Sequence, residues 1–314
     1  MNLASIEQLL AIMIRMAAPT ILITMGGMFY QRINIFPIGL EALMMSGCFF
    51  AVWGTYLTHN PYLGCLFAAL AVTLISLIFA FFVFELGVNS VVCGFSLYTI
   101  IYGLSRYLLT ALYGMNGTMR LDSADALPKL SVPVLRDIPF LNTLLDGHSF
   151  LVYIALLAPF ILHYVMYRTN FGLNLRSVGA NPEAAKMTGI HVGSTRYLAL
   201  AIGGFLCGLG GAQLAMASNL YTVGMTDGRG FTAVAALVLT AAEPVWCFLV
   251  CLLYGLTDGL VIQLSGMGHN PQFLSTLPYF AAIFAAIIPP IIKSVRNRIY
   301  EGQYKNRIQG YYTK

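Results

Sequence analysis

Six ionisable side chains lie within or beside long apolar runs: Arg15, Glu41, Glu85, Arg106, Glu243 and Asp258. A charge at the centre of a membrane-embedded helix costs roughly 2.5–3.5 kcal/mol on insertion scales, so each needs a partner or a wet surface. Glu85, Arg106 and Glu243 fall near the ends of their runs, where a side chain reaches the interface. Glu41 and Asp258 lie deeper. Each of those two is read either as half of a structural pair or as part of a polar patch on a solute path. In the second reading they are the carboxylates through which an ion-coupled secondary transporter would work.

Enzyme chemistry finds little support. The histidines at 59, 148, 163, 191 and 269 are scattered, with no HExxH pair for a metal. No GxSxG elbow is present, and no paired intramembrane aspartates mark a membrane protease. Neither a catalytic residue nor a metal site is assigned. The glycine-rich run GGFLCGLGGAQLA at 203–215 lacks the preceding strand and the lysine of a phosphate-binding loop. Instead Gly204, Gly208 and Ala212 recur at i, i+4, a flat helix face against which another helix packs closely. The cysteines at 48, 65, 93, 207, 247 and 251 all sit in apolar runs without a CxxC pair, and read as small packing residues.

One polar stretch breaks this pattern. RSVGANPEAAKMTGIHV, residues 176–192, is bounded by apolar runs on both sides. Asn181 is a favoured N-cap, and Pro182 suits the first helical position, where a missing N–H costs nothing. Glu183 in the first turn and Lys186 toward the last both suit the helix dipole. Gly189 suits the residue that ends a helix. The spacing predicts a helix over 182–188, covering Pro182 to Thr188 and including Ala184, Ala185 and Met187. A helix of about seven residues is too short to stand alone in water, so it must lean on something. Ala184 and Ala185 leave room for close docking.

The elements that hold these residues follow from composition. The 314 residues are 58% hydrophobic and 9% charged, with a mean hydropathy of +0.77, whereas soluble domains carry about 25% charged residues. A membrane span needs roughly 20 mostly apolar residues. Apolar segments fall at about 9–30, 35–57, 62–86, 90–113, 149–167, 194–217, 230–243, 245–265 and 275–292. The expected fold is therefore all-α: one polytopic membrane domain, residues 1–314, with about 8–10 transmembrane helices. The segment 230–243 is too short to cross without tilt and reads as a half-helix, an element that transporters place near a substrate path. MNLASIEQLL has no basic residue ahead of its apolar stretch and is expected to open a first span rather than a cleaved signal.

Orientation rests on basic residues. Lys293, Arg296, Arg298, Lys305, Arg307 and Lys314 face only Glu301 in the tail 293–314. Such an excess beside a last span marks the cytoplasmic side and speaks against nucleic acid as the reason for the net charge of +5. The tail and the 168–193 loop are then inside, and the 114–148 loop is outside.

The residues RTNFGLNLRSVGANPEAAKMTGIHV (168–192), followed by GGFLCGLGGAQ, resemble the cytoplasmic loop of bacterial ABC importer permeases. That group includes permeases for ribose-type sugars, branched-chain amino acids and nucleosides. IGLEALMM near 38–45, VNSVVCGFSLYTIIYGLSR from 88, LPKLSVPVLRDIPFL from 127, LVYIALL from 151 and GRGFTAVAALV from 228 are most similar to its nucleoside (guanosine or purine) branch. The resemblance implies that Asn181–Gly189 forms a coupling helix docked on a separate ATPase subunit. It implies no cofactor on this chain, ATP and Mg being held by the partner. It also implies a second, different permease subunit, an external binding lipoprotein and a place in the bacterial cytoplasmic membrane. Glu41, Phe95, Tyr98 and Phe231 are the expected path residues, the aromatics suiting a nucleoside base.

Overall fold

The computed structural model describes residues 3–114, 117–121, 125–128, 130 and 146–265. Its helices are α1 (Leu3–Arg32), α2 (Leu40–Thr58), α3 (Pro61–Phe84), α4 (Ser90–Tyr113), α5 (Phe150–Arg168), α6 (Asn170–Ala180), α7 (Pro182–Met187), α8 (Val192–Ser218), α9 (Arg229–Thr240) and α10 (Pro244–Ser265). Seven of them, all but α6, α7 and α9, are long and apolar enough to cross a membrane. The chain is an all-α polytopic membrane protein. The expected ninth segment, 275–292, and the basic tail lie outside the described residues.

Local sequence sets the helix boundaries. Asn60 accepts hydrogen bonds from the amides of Tyr62 (3.0 Å) and Leu63 (3.4 Å), with Pro61 at the first position of α3. Asn89 does the same for α4 through Val91 N–H at 2.9 Å. Two short strands add what an all-helical reading omits. β1 (Thr118–Arg120) and β2 (Leu220–Thr222) pair antiparallel, tying the segment after α4 to the end of α8. The 168–193 loop, expected to hold one helix, holds two, because Thr169 caps α6 by accepting from Gly172 N–H at 3.3 Å.

α8 runs through the centre of the bundle, and its glycines explain how. A Cβ on Gly204 would stand 2.5 Å from Ser76 Cβ, and one on Gly208 2.7 Å from Ala69 Cα, both on α3. On another side Gly211 faces the Met44 carbonyl of α2 at 2.3 Å, measured the same way. Ala212 is fully buried between them. Without side chains at these positions three backbones approach closely, and dispersion replaces the hydrophobic drive that lipid cannot supply. Tyr30 of α1 bonds Ser76 at 2.5 Å, and Ser76 donates to Leu200 O of α8 at 2.6 Å, so α1, α3 and α8 also share a polar clasp.

The two ends of the bundle differ. The end that bears α6 and α7 gathers Arg32, Arg168, Arg176, Lys186 and Arg196 at or near helix termini. At the other end lie β1, β2 and the His59–Asp125 contact of 3.2 Å.

Candidate functional site

α9 crosses only part of the bundle. Its 12 residues rise about 18 Å, against a hydrocarbon layer of about 30 Å. Its C-terminal end meets α10 at the basic end of the molecule, so its N-terminus lies inside. That N-terminus carries unsatisfied amides and the positive end of the helix dipole. Glu41, in the first turn of α2 and 2% exposed, answers both. It accepts from Thr226 Oγ1 at 2.6 Å, Gly228 N–H at 3.2 Å and Gly230 N–H at 2.7 Å. Arg229 beside it pairs with Asp258 of α10 at 3.1 Å. Both deep carboxylates are thus engaged within the fold, each as half of a structural pair. The tripeptide Gly228-Arg229-Gly230 is the available signal: an anion-binding helix start in an apolar chain needs a carboxylate brought to it.

Next to this cap the expected path aromatics meet. The Phe231 ring lies 6.5 Å from Phe95 and 6.2 Å from Tyr98, and Tyr98 lies 6.2 Å from Tyr102. Phe95, Tyr102 and Phe231 are exposed at 50, 39 and 39%, a ring-lined surface between α4 and α9. Glu41 does not line that surface. Its contribution is to fix α9, from which Phe231 projects.

The other end of α9 is held by a cluster that sequence reading missed. Arg32, at the end of α1, donates to Glu243 Oε1 at 2.8 Å, Ala242 O at 2.9 Å and Tyr167 Oη at 3.1 Å. Tyr167 itself donates to Glu243. Burial pushes the Glu243 carboxyl up, but the hydrogen bonds from Tyr167 and Arg32 and the Arg32 charge outweigh it. The net effect lowers it from its ordinary value. Arg176 of α6 stands 4.9 Å over the Tyr167 ring, a cation–π contact from the next element. Gly179 of α6 sits so close to α1 that a Cβ there would lie 1.8 Å from Arg32 O.

α7 follows directly. The Asn181 side chain accepts from Glu183 N–H at 3.0 Å and Ala184 N–H at 3.1 Å, with Pro182 at the first position. Gly189, at φ +83°, closes the turn, and Thr188 is the C-cap, so the helix is one residue shorter than its spacing predicts. Ala185 is buried against its own bundle, 4% exposed. The outward face shows Glu183, Ala184 and Met187, the last 90% exposed. Met187 thus stands clear of the bundle, on the side of α7 opposite the buried Ala185.

A bundle of spans, one partial helix with both ends anchored and a capped helix presented at one end make up the frame of a polytopic membrane protein. Residues 9–288 match the family of branched-chain amino acid transport system permease components, and the chain belongs to that family. It is 33% identical over 299 residues to the nucleoside ABC transporter permease protein NupC of Lactococcus lactis subsp. cremoris (strain MG1363), covering 90% of this chain and 92% of that one. To the guanosine ABC transporter permease protein NupQ of Bacillus subtilis (strain 168) it is 34% identical over 254 residues, 78% of this chain and 79% of the relative. To the putative glucose ABC transporter permease protein TsgC13 of Haloferax volcanii it is 29% identical over 295 residues, 86% and 88% of the two chains. No solved structure matches the chain.

Proposed function

We propose that this permease moves nucleosides inward as one of two membrane subunits of an ATP-driven importer. The relatives support the substrate class, and the aromatic surface of Phe95, Tyr98, Tyr102 and Phe231 fits it chemically: a flat base stacks on rings, while an amino acid would call for charge partners. A hexose stacks on rings too, and the glucose relative keeps a sugar permease as the alternative.

The observation that carries the mechanism is continuity from α7 to the aromatic surface. α7 is capped onto α6. α6 touches Arg32 through Gly179 and Tyr167 through Arg176. Arg32 and Tyr167 hold the corner between α9 and α10, and α9 carries Phe231. Movement of α7 by an ATPase docked on its outer face would therefore reach the path without passing through lipid-facing parts. In this reading the end with α7 is cytoplasmic, ATP and Mg are held by the ATPase, and a binding protein delivers substrate at the opposite end. The path binds weakly, because tight binding there would slow release. Reconstitution with its partner subunits tests the substrate class: uptake of a purine nucleoside is expected, and uptake of glucose, ribose or leucine with no nucleoside would overturn it.

A further inference from the structure

α4 carries a polar face where lipid would demand an apolar one. Its inward pole is Gly94, Ile101, Ser105 and Leu109, all buried against the bundle. At 3.6 residues per turn, the pole opposite holds Ser96, Thr99, Gly103, Arg106, Tyr107 and Thr110, with Val92 one turn before Ser96 and Ile100 at its edge, all exposed. The neighbouring outward faces are built differently: α3 shows Leu66, Leu70 and Leu74, and α5 shows Leu157, Phe160 and Ile161. Those two have the apolar composition that lipid demands. Snorkelling accounts for Arg106 alone, about 10 Å from the helix end, and leaves the polar pole running nearly three further turns along the helix to Ser96.

We infer that this pole of α4 is the seam with the second permease subunit, a different chain that supplies an acidic or carbonyl acceptor for Arg106. The inference rests on the two-subunit importer proposed above. Ser96, Thr99, Gly103, Arg106 and Thr110 alternate at three and four residues, the spacing of a helix–helix seam. Thr99 and Thr110 donate to their own backbone at Phe95 O and Arg106 O, both 3.1 Å, so the seam can close dry. A Cβ on Gly103 would meet nothing within 4 Å, so the absence of a side chain there serves no contact within this chain. It does let a partner helix approach. Among the described residues no carboxylate pairs with Arg106. A second copy of this chain would bring Arg106 to the same seam as Arg106, with no acid on either stripe, which argues for a non-identical partner. The seam also borders the aromatic surface at Phe95 and Tyr102, placing the path beside the subunit junction.

The test uses the complete complex in its own membrane. Gly103→Trp should lower co-purification of the second permease at least tenfold, and Arg106→Gln should lower it in the same direction. Leu74→Trp, on the apolar outward face of α3, should leave it unchanged. A diazirine photo-crosslinker at position 103 should give adducts with the second permease, identified by peptide mass. Adducts with lipid alone, or with another copy of this chain, would overturn the assignment, as would wild-type recovery of the partner with Gly103→Trp. Absence of any second permease or ATPase from the wild-type preparation would instead sink the importer reading itself.

Discussion

The Glu41 carboxylate lies 2.7 Å from the Gly230 amide, joining the first turn of α2 to the first turn of α9, 189 residues later in the chain. The contact turns a half-crossing helix into a fixed element. Without it, buried amides at the start of α9 would face an apolar interior.

Glu41→Leu removes the acceptor and leaves the Gly228 and Gly230 amides unpaired, each a loss of about 1–3 kcal/mol. Gly230→Ala strains the same contact from the other side, because a Cβ there would stand 2.5 Å from Glu41 Cα, an overpacking cost of about 1–3 kcal/mol. Both variants should melt earlier in detergent, while Glu41→Gln, which keeps the carbonyl acceptor, should lose less. Equal melting of Glu41→Leu and wild type would show that the cap is dispensable.

The cluster around Glu243 predicts a pH dependence. Its folded value is depressed, so its stabilisation is full above the ordinary carboxylate value of about 4.3 and is lost as pH falls through the folded value below it. Wild type should therefore lose thermal stability on acidification in a step that Glu243→Gln lacks, the two curves converging in acid. Parallel curves for the two proteins across this range would remove the Arg32–Glu243 pair as the cause.

The aromatic surface should govern affinity and not assembly. Tyr98→Ala and Phe231→Ala each remove one partner of a 6.2 Å ring pair, worth about 0.5–1.5 kcal/mol beyond area. Half-saturation for nucleoside uptake should rise several-fold, with ATPase and second permease still bound. Unchanged uptake kinetics in both variants would move the path elsewhere.

Much of this molecule is written locally. The spans, the shortness of α9 and the cap of α7 follow from neighbours within a few residues: Asn181 with Pro182, Gly189 after the last turn. What sequence reading left out joins distant residues. Arg32 and Glu243 are 211 positions apart, and the partners of Glu41 are 185 to 189 away. No short-range pattern encodes such pairs, because only the packed bundle brings those helix ends together. α6 was missed for a related reason. Its seat depends on Gly172 and Gly179 fitting against α5 and α1, and glycines in an isolated stretch argue against a helix. Of the two alanines in α7, both small enough to dock, only the fold distinguishes Ala185, turned inward, from Ala184, turned out.

The central claim is that α7 transmits ATP-driven movement to a nucleoside path. The most direct measurement is ATP-dependent uptake of a labelled purine nucleoside into vesicles holding the complete complex, wild type against Ala184→Glu. Ala184 is exposed, so the charge leaves the bundle intact, but burying it unpaired in a docked interface costs several kcal/mol. Even about 3 kcal/mol shifts a docking equilibrium more than a hundredfold. Uptake should fall at least tenfold while the second permease remains bound and the ATPase is lost or hydrolyses ATP without transport. Wild-type uptake by Ala184→Glu with the ATPase fully retained would contradict the account.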